Sequence, residues 1–368
     1  MTGSAAASRS LWSDARARLV RNKAAVASFI LLGLVTLASL FGPLLTGHPH
    51  DKVYPDYVRV GPALSAYPSV EQLPTAITRI ASRVRAKAEI AAAYDTSVLL
   101  ALTAERPIDE RLLVYFERSD MFGSAVVKVR ADEGRRLDVE VPIKRTRFLF
   151  GTDSNGRDLL TRVLIAGRVS LAIGLLATGV ALVIGVLYGA TSGYIGGRTD
   201  DIMMRIVDIL YALPFIFFVI MLVVFFGRNF ILMFLAVGAI EWLDMARIVR
   251  GQTLSIKRQE YVAAAQALGV DTRGIIRRHI IPNTLGQVVV YATLLIPRVV
   301  LLESFLSFLG LGVQEPNTSW GVLINEGARS IQGGTYLLIC PALFLVATLS
   351  ALNFIGDGLR DALDPKDR

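Results

Sequence analysis

RGQTLSIKRQEYVAAAQALGVDTRGIIRRHIIPN, residues Arg250–Asn283, lies between two stretches of membrane-grade hydrophobic sequence, about Phe230–Ile248 before it and Leu285–Leu309 after it. A segment carrying Lys257, Arg258, Arg273, Arg277 and Arg278 does not belong in hydrocarbon, where charged side chains are costly and backbone groups must be satisfied internally. It faces water, and it interrupts a chain that otherwise belongs in lipid. That alternation decides the fold class.

The rest of the chain supports the division. Of 368 residues, 53% are hydrophobic and only 19% are charged, and mean hydropathy is +0.51. Several apolar runs reach the roughly 20 residues that cross a bilayer core. The class expected is an all-α polytopic membrane protein of about six transmembrane helices. The spans read as Ala24–Leu45, Val169–Tyr194, Val207–Phe226, Phe230–Ile248, Leu285–Leu309 and Tyr336–Ile355, with a turn at Gly227-Arg228-Asn229 joining the third and fourth. The first run follows Arg9, Arg16, Arg18, Arg21 and Lys23. It is longer than a signal-peptide core and ends in Phe-Gly-Pro, so it reads as a retained span.

Net charge is +8 and the isoelectric point is about 9.7. In a soluble chain this balance would suggest nucleic acid; here it reads as the Lys/Arg excess of cytoplasmic loops. Residues 1–23, the loop near Arg198 and Arg205, the segment 250–283 and the tail 357–368 then share the cytoplasmic side. The long region 46–168 lies outside, where loop length overrides charge. The single cysteine, Cys340, sits in an apolar run beside Pro341 and reads as an inert buried thiol. His48 and His50 are too few to hold a metal.

Region 46–168 is too long for a plain loop. Gln72–Ala93 reads as an amphipathic helix, with Leu73, Ile77, Ile80, Val84, Ala88 and Ala91 at helical spacing. Ser97–Thr103, Ala125–Arg130 and Leu137–Val141 read as strands. Together they suggest a small α+β insert at about 64–144, either a structural cap or a surface for docking and gating. The transmembrane core is 169–356.

Within 250–283, Gln259–Leu268 has a helical composition, and its alanines leave little side-chain bulk in the way of an approaching surface. Gly269 stands where a left-handed helix stop is expected. Asp271-Thr272 caps a second short helix, Arg273–Ile280, and Pro282 disfavours helix at the residue before it. A DNA-reading helix-turn-helix has similar spacing, but both ends here are tethered in membrane. A plain loop and a docking element for a cytoplasmic motor subunit are the other readings.

The segment resembles the EAA loop of ABC-importer permeases, a pattern of Glu-Ala-Ala, three residues, Gly, nine residues and Ile-x-Leu-Pro. Ala264, Ala265, Gly269 and Pro282 match; Ala263, His279 and Ile281 stand where that pattern has Glu, Ile and Leu. The flanks, Glu260-Tyr261-Val262 and Arg278-His279-Ile280-Ile281-Pro282-Asn283, are similar to the dipeptide/oligopeptide/nickel branch. So are Phe150–Asp158, Arg162, Gly167-Arg168, Trp242, Val249–Gln252, Leu306–Gly312, Trp320-Gly321, Gly356–Asp361 and Asp364-Pro365. The resemblance covers nearly everything except the insert.

It implies a permease subunit of a binding-protein-dependent importer of the bacterial inner membrane. The expected partners are a sister permease (the same chain or a different one), two ATP-binding subunits or domains and an extracytoplasmic solute-binding protein, with no nucleic acid. ATP and Mg would be bound by the partner subunits. This chain has no Gly-x-x-x-x-Gly-Lys-Ser/Thr phosphate loop, so it is expected to hold no cofactor and to be no enzyme itself. The coupling residues implied are Glu260, Tyr261, Ala264, Ala265, Gly269, Arg278, His279, Pro282 and Asn283. Dipeptides or oligopeptides are the first cargo to expect; nickel, opines and sugars are the others.

Charged residues within spans carry a functional expectation of their own. Arg298 and Glu303 in the fifth span either line the solute route or pair between helices. Glu241 and Asp244 in the fourth are expected to pair locally, Asp244 with Arg247 at i,i+3. A secondary transporter or channel without ATPase partners is the alternative class, but the sequence shows no internal repeat. A membrane enzyme has no His, Cys and carboxylate cluster in the spans to support it.

Overall fold

A computed structural model describes residues 11–227, 230–315 and 317–363. Arg9, the turn residues Arg228 and Asn229, Asp364-Pro365 and the rest of the tail to Arg368 lie outside the described residues. The helices, in chain order, are α1 Leu11–Arg21, α2 Lys23–Leu45, α3 Leu73–Arg83, α4 Val114–Glu117, α5 Leu159–Ile195, α6 Gly197–Ala212, α7 Phe215–Phe226, α8 Phe230–Ile256, α9 Glu260–Ala267, α10 Thr272–Ile275, α11 Ile281–Phe308, α12 Trp320–Arg329 and α13 Tyr336–Leu363. Four strands form one antiparallel sheet: β1 Lys87–Ala93, β2 Ser97–Thr103, β3 Val126–Ala131 and β4 Arg136–Pro142, in the order β1-β2-β4-β3. The chain separates into two compact units, one of Met1–Leu45, Val163–Arg329 and Leu338–Arg368, the other of Thr46–Arg162 and Ser330–Leu337.

The helical unit is built mainly from long apolar helices. Among the described residues, α2, α5, the run Thr272–Phe308 and α13 are long and apolar enough to cross a membrane. The expected third span is instead a bent pair: α6 and α7 meet at 84°. Leu213, which precedes Pro214, is extended at ψ 130°, as the proline ring demands of its predecessor. The α8 helix carries Glu241, Asp244 and Arg247 in its middle, which keeps it out of the purely apolar class.

Small residues set the packing of α5 on α8. A Cβ on Gly189 would lie 3.0 Å from the Arg250 amide nitrogen and closer still to the Ala246 carbonyl, so the two backbones touch. Near the end of α2, Pro43 has no N–H to give the Ser39 carbonyl four residues back. The Arg168 guanidinium supplies the donor, with Nε 2.7 Å from that oxygen.

The second unit has its own core. Val98, Leu100 and Leu102 of β2 and Leu137, Val139 and Val141 of β4 point inward at period two. They pack beneath Leu73, Ile77 and Ile80 of α3, with Phe116, Phe122 and Phe148 filling the rest. The helix expected over Gln72–Ala93 ends at Arg83, where Arg85 takes a left-handed φ of 59° and the chain turns back. Residues from Lys87 onward pair with β2, Lys87 opposite Thr103 and Ile90 opposite Leu100. Ala88 and Ala91 fall in helical phase by coincidence, and alanine buries too little area to hold a helix against a ladder of strand hydrogen bonds. His48 joins the Tyr54 hydroxyl at 2.9 Å and the Arg147 carbonyl at 3.1 Å.

Candidate functional site

The polar segment folds as two short helices on the helical unit. α9 ends in a full Schellman motif: Val270 N–H donates to the Ala265 carbonyl at 3.1 Å and Gly269 N–H to that of Gln266 at 3.0 Å. Gly269 sits at φ 80° with open space around its Cα, so its requirement is purely conformational. The Asp271 carboxylate caps α10, accepting from Gly274 N–H at 3.1 Å.

Pro282 does not end the helix. Ile281 is helical, at φ −55° and ψ −49°, and a π-helical turn over Ile276–Ile280 leads straight into α11. In an α-helix the Pro282 ring would strike the Arg278 carbonyl; the wider π turn, closed by Ile281 N–H to the Ile276 carbonyl, moves it away. The second helix expected over Arg273–Ile280 is therefore the start of a continuous membrane helix.

The segment has an inner and an outer face. Val262 and Ala265 are buried, packed with Ile275, Ile280, Val249 and Val288. Glu260, Tyr261, Ala264, Arg278, Pro282 and Asn283 are exposed, and His279 is half-buried beneath the Tyr261 ring, 6.3 Å between centroids. The alanines thus divide: Ala263, Ala264 and Ala267 leave the outer surface flat, whereas Ala265 fits the inner one. Leu268, absent from the expected set, stands 85% exposed at the tip. An apolar side chain directly before a helix-stopping glycine, in an otherwise polar segment, was the signal for it.

Polar contacts tie this segment to the helices behind it. The Gln266 amide donates to the Tyr194 hydroxyl of α5 at 2.9 Å. The Lys257 ammonium donates to the Tyr194 carbonyl. Arg250, at the base of the segment, grips Asp200 of α6 with Nε and one terminal nitrogen, each 2.6 Å from its own oxygen. Ser192 of α5 donates to the same carboxylate. Tyr194, Gln266 and Asp200 carry no motif and gave no sequence signal.

The charges inside the bundle fall into two settings. Glu303 is fully buried on α11 and accepts from Ser307 at 2.6 Å and from Ser170 of α5 at 3.1 Å. Trp320 N–H of α12 lies 3.3 Å from the same Ser170 hydroxyl. Arg298 is different: its guanidinium is 3.0 Å from Asp244 and 3.8 Å from Glu241, both on α8, while its side chain stays 56% exposed. The Asp244–Arg247 pair expected from i,i+3 spacing is not made. Arg247 reaches Asp208 of α6 at 2.9 Å, and its guanidinium lies 4.5 Å from the centre of the Tyr211 ring. Partners on neighbouring helices outcompete the local one.

Residues 181–368 match the family described as binding-protein-dependent transport system inner membrane component. Residues 10–68 match the N-terminal TM domain of oligopeptide transport permease C. The chain is 46% identical over 360 residues to the oligopeptide transport system permease protein OppC of Escherichia coli K12, covering 98% of this chain and 93% of that one. It is 58% identical over 227 residues to OppC of Haemophilus influenzae (62% and 73% covered). It is 49% identical over 220 residues to the dipeptide permease DppC of Bacillus subtilis (60% and 69% covered). A chain of the inward-facing MetNI methionine ABC transporter superposes with TM-score 0.46 at 20% identity, covering 55% of this chain and 96% of that one. The chain belongs to the multi-pass inner-membrane permeases of ABC importers, in the dipeptide/oligopeptide/nickel family.

Proposed function

We propose that this chain is one of two permease subunits in an ATP-driven importer of peptides or similar small solutes. The observation that carries the cargo class is the identity of 46% across 98% of the chain to an oligopeptide permease. The sister permease, two ATP-binding subunits or domains and an extracytoplasmic solute-binding protein complete the assembly. ATP and Mg are bound by the ATPase partners; this chain binds neither, takes part in no nucleic-acid contact and is no enzyme.

In this reading six spans cross the membrane, the bent pair α6–α7 and the charged α8 among them, with both termini cytoplasmic. The region 46–168, with its insert at about 64–144, faces outward. The segment 250–283 is the cytoplasmic coupling element. Glu260, Tyr261, Ala264, Arg278, Pro282 and Asn283 would lie against an ATPase subunit, with His279 half-buried behind them; Ala265 and Gly269 hold their shape. Closure of the ATPases pulls on α9, and the contacts of Gln266, Lys257 and Arg250 pass that displacement to α5 and α6. Transport is then a population shift, its size set by how differently the two ATPase states dock here.

ATP-dependent uptake of a labelled tripeptide into proteoliposomes holding the complete complex tests this. Uptake that requires ATP, the ATPase subunits and the binding protein is the expected result. Uptake by the permease chains alone would assign a secondary transporter or channel instead.

A further inference from the structure

The mutual arrangement of Glu241, Asp244 and Arg298 goes beyond helix pairing. Arg298 is 17 residues into α11 and 10 from its end, about 25 Å and 15 Å along the axis, which places it inside a hydrocarbon core about 30 Å thick. A guanidinium there that is 56% exposed cannot face lipid without heavy cost, so its open side faces an aqueous route or the sister subunit. Glu241 is the second observation. Its side chain is 6% exposed, its nearer oxygen is 3.8 Å from Arg298, beyond hydrogen-bond distance, and Oε2 has no hydrogen-bond partner among the described residues. A carboxylate so buried is ordinarily hydrogen-bonded. Two carboxylates, Glu241 and Asp244, share the single guanidinium of Arg298, leaving one negative charge over.

We propose that Glu241 and Asp244 form a cation-accepting station on the translocation route, which takes a side-chain ammonium group of the cargo as Arg298 swings aside. The inference rests on the peptide-import reading and adds a site to it. An ammonium group has three donors in a compact charge. It would satisfy the orphan Oε2 of Glu241 and stand in for Arg298 at Asp244. Arg298, long and half open, is the group free to move. Between cargoes it pairs with Asp244 and stands 3.8 Å from Glu241, so the station is only partly compensated and keeps an attraction for a second cation.

The complete reconstituted importer tests this through the ratio of initial uptake rates for trilysine and triglutamate, measured with one binding protein throughout so that its own preference cancels. Glu241→Gln and Arg298→Gln break the same ion pair. If that pair only holds α8 to α11, both variants lower uptake of the two peptides alike and the ratio stays put. If it is a charge-reading station, the ratio moves in opposite directions. Glu241→Gln lowers it by about tenfold, the scale of one charge-assisted hydrogen bond lost, and Arg298→Gln raises it. A ratio that is unchanged, or that moves the same way in both variants, overturns the proposal while leaving peptide import standing. Should the unmodified importer take up neither these peptides nor trialanine, the peptide-import reading fails and the station with it.

Discussion

Arg250 and Asp200 meet side-on, two guanidinium nitrogens each 2.6 Å from a separate carboxylate oxygen. The pair joins the last turns of α8 to the start of α6, where residues 250–283 begin. Only a planar fork makes both bonds at once, so lysine is no substitute. Arg250→Lys should retain assembly but lose one bond, and Arg250→Ala should cost about 2 kcal/mol of stability, the range of hydrogen bonds to charged groups. Thermal unfolding of the detergent-solubilised permease checks the order: unmodified chain, then Lys, then Ala.

Gln266 and Tyr194 form the one hydrogen bond described between the α9 and α5 side chains. Tyr194→Phe and Gln266→Ala should each slow ATP-driven uptake, and the double variant should be no slower than the worse single one. A double-mutant cycle on uptake rate reads this as a coupling of about 1 kcal/mol. Additive effects would mean that the bond plays no part in transmission.

In the unit built on the sheet, burial holds the Asp120 carboxyl above its ordinary value of 3.8, with the neighbouring Asp56 charge adding to the rise, while the hydrogen bond between them and the positive charges of Lys52 and Lys144 oppose it. A group raised in this way binds more protons folded than unfolded. Its contribution to stability is therefore full below pH 3.8 and is lost as pH rises through the higher folded value. Asp120→Asn should remove that dependence. Amide exchange of β2 and β4 in the full chain, compared between the two proteins from pH 4 to neutrality, should show their difference growing with pH, the unmodified protein the less protected at neutral pH. A difference that does not change with pH contradicts the assignment.

Asp109 is exposed at the start of a short helical turn, its carboxylate accepting from Arg111 N–H at 3.0 Å. In a Cys340→Ala background, a cysteine placed there should react with a membrane-impermeant maleimide in intact cells. Labelling only in inverted vesicles would reverse the topology proposed for region 46–168.

Much of this was legible in the sequence because it rests on strong local signals. Long apolar runs gave α2, α5, α11 and α13. Alternation gave β2 and β4, whose inward residues are Val and Leu. Gly269 and Asp271 sit at their stop and cap. What failed did so where a local rule met a tertiary partner. The run to Ala93 kept helical phase only through alanines, and pairing with β2 decided otherwise. Pro282 was read as a stop, but a π turn absorbed it. Asp244 had Arg247 one turn away and took Arg298 on another helix. Contacts such as Tyr194 to Gln266 join residues far apart in the chain through ordinary side chains, so no pattern marks them.

The claim that the chain is driven through residues 250–283 is tested most directly at Ala264. It is exposed on the flat outer face of α9, so Ala264→Arg leaves the inner packing of Ala265 intact and obstructs only an approaching surface. The measurement is peptide- and binding-protein-stimulated ATP hydrolysis by the reconstituted complex. The account predicts that Ala264→Arg inserts and unfolds like the unmodified chain yet loses that stimulation. Stimulation at the unmodified level would contradict it.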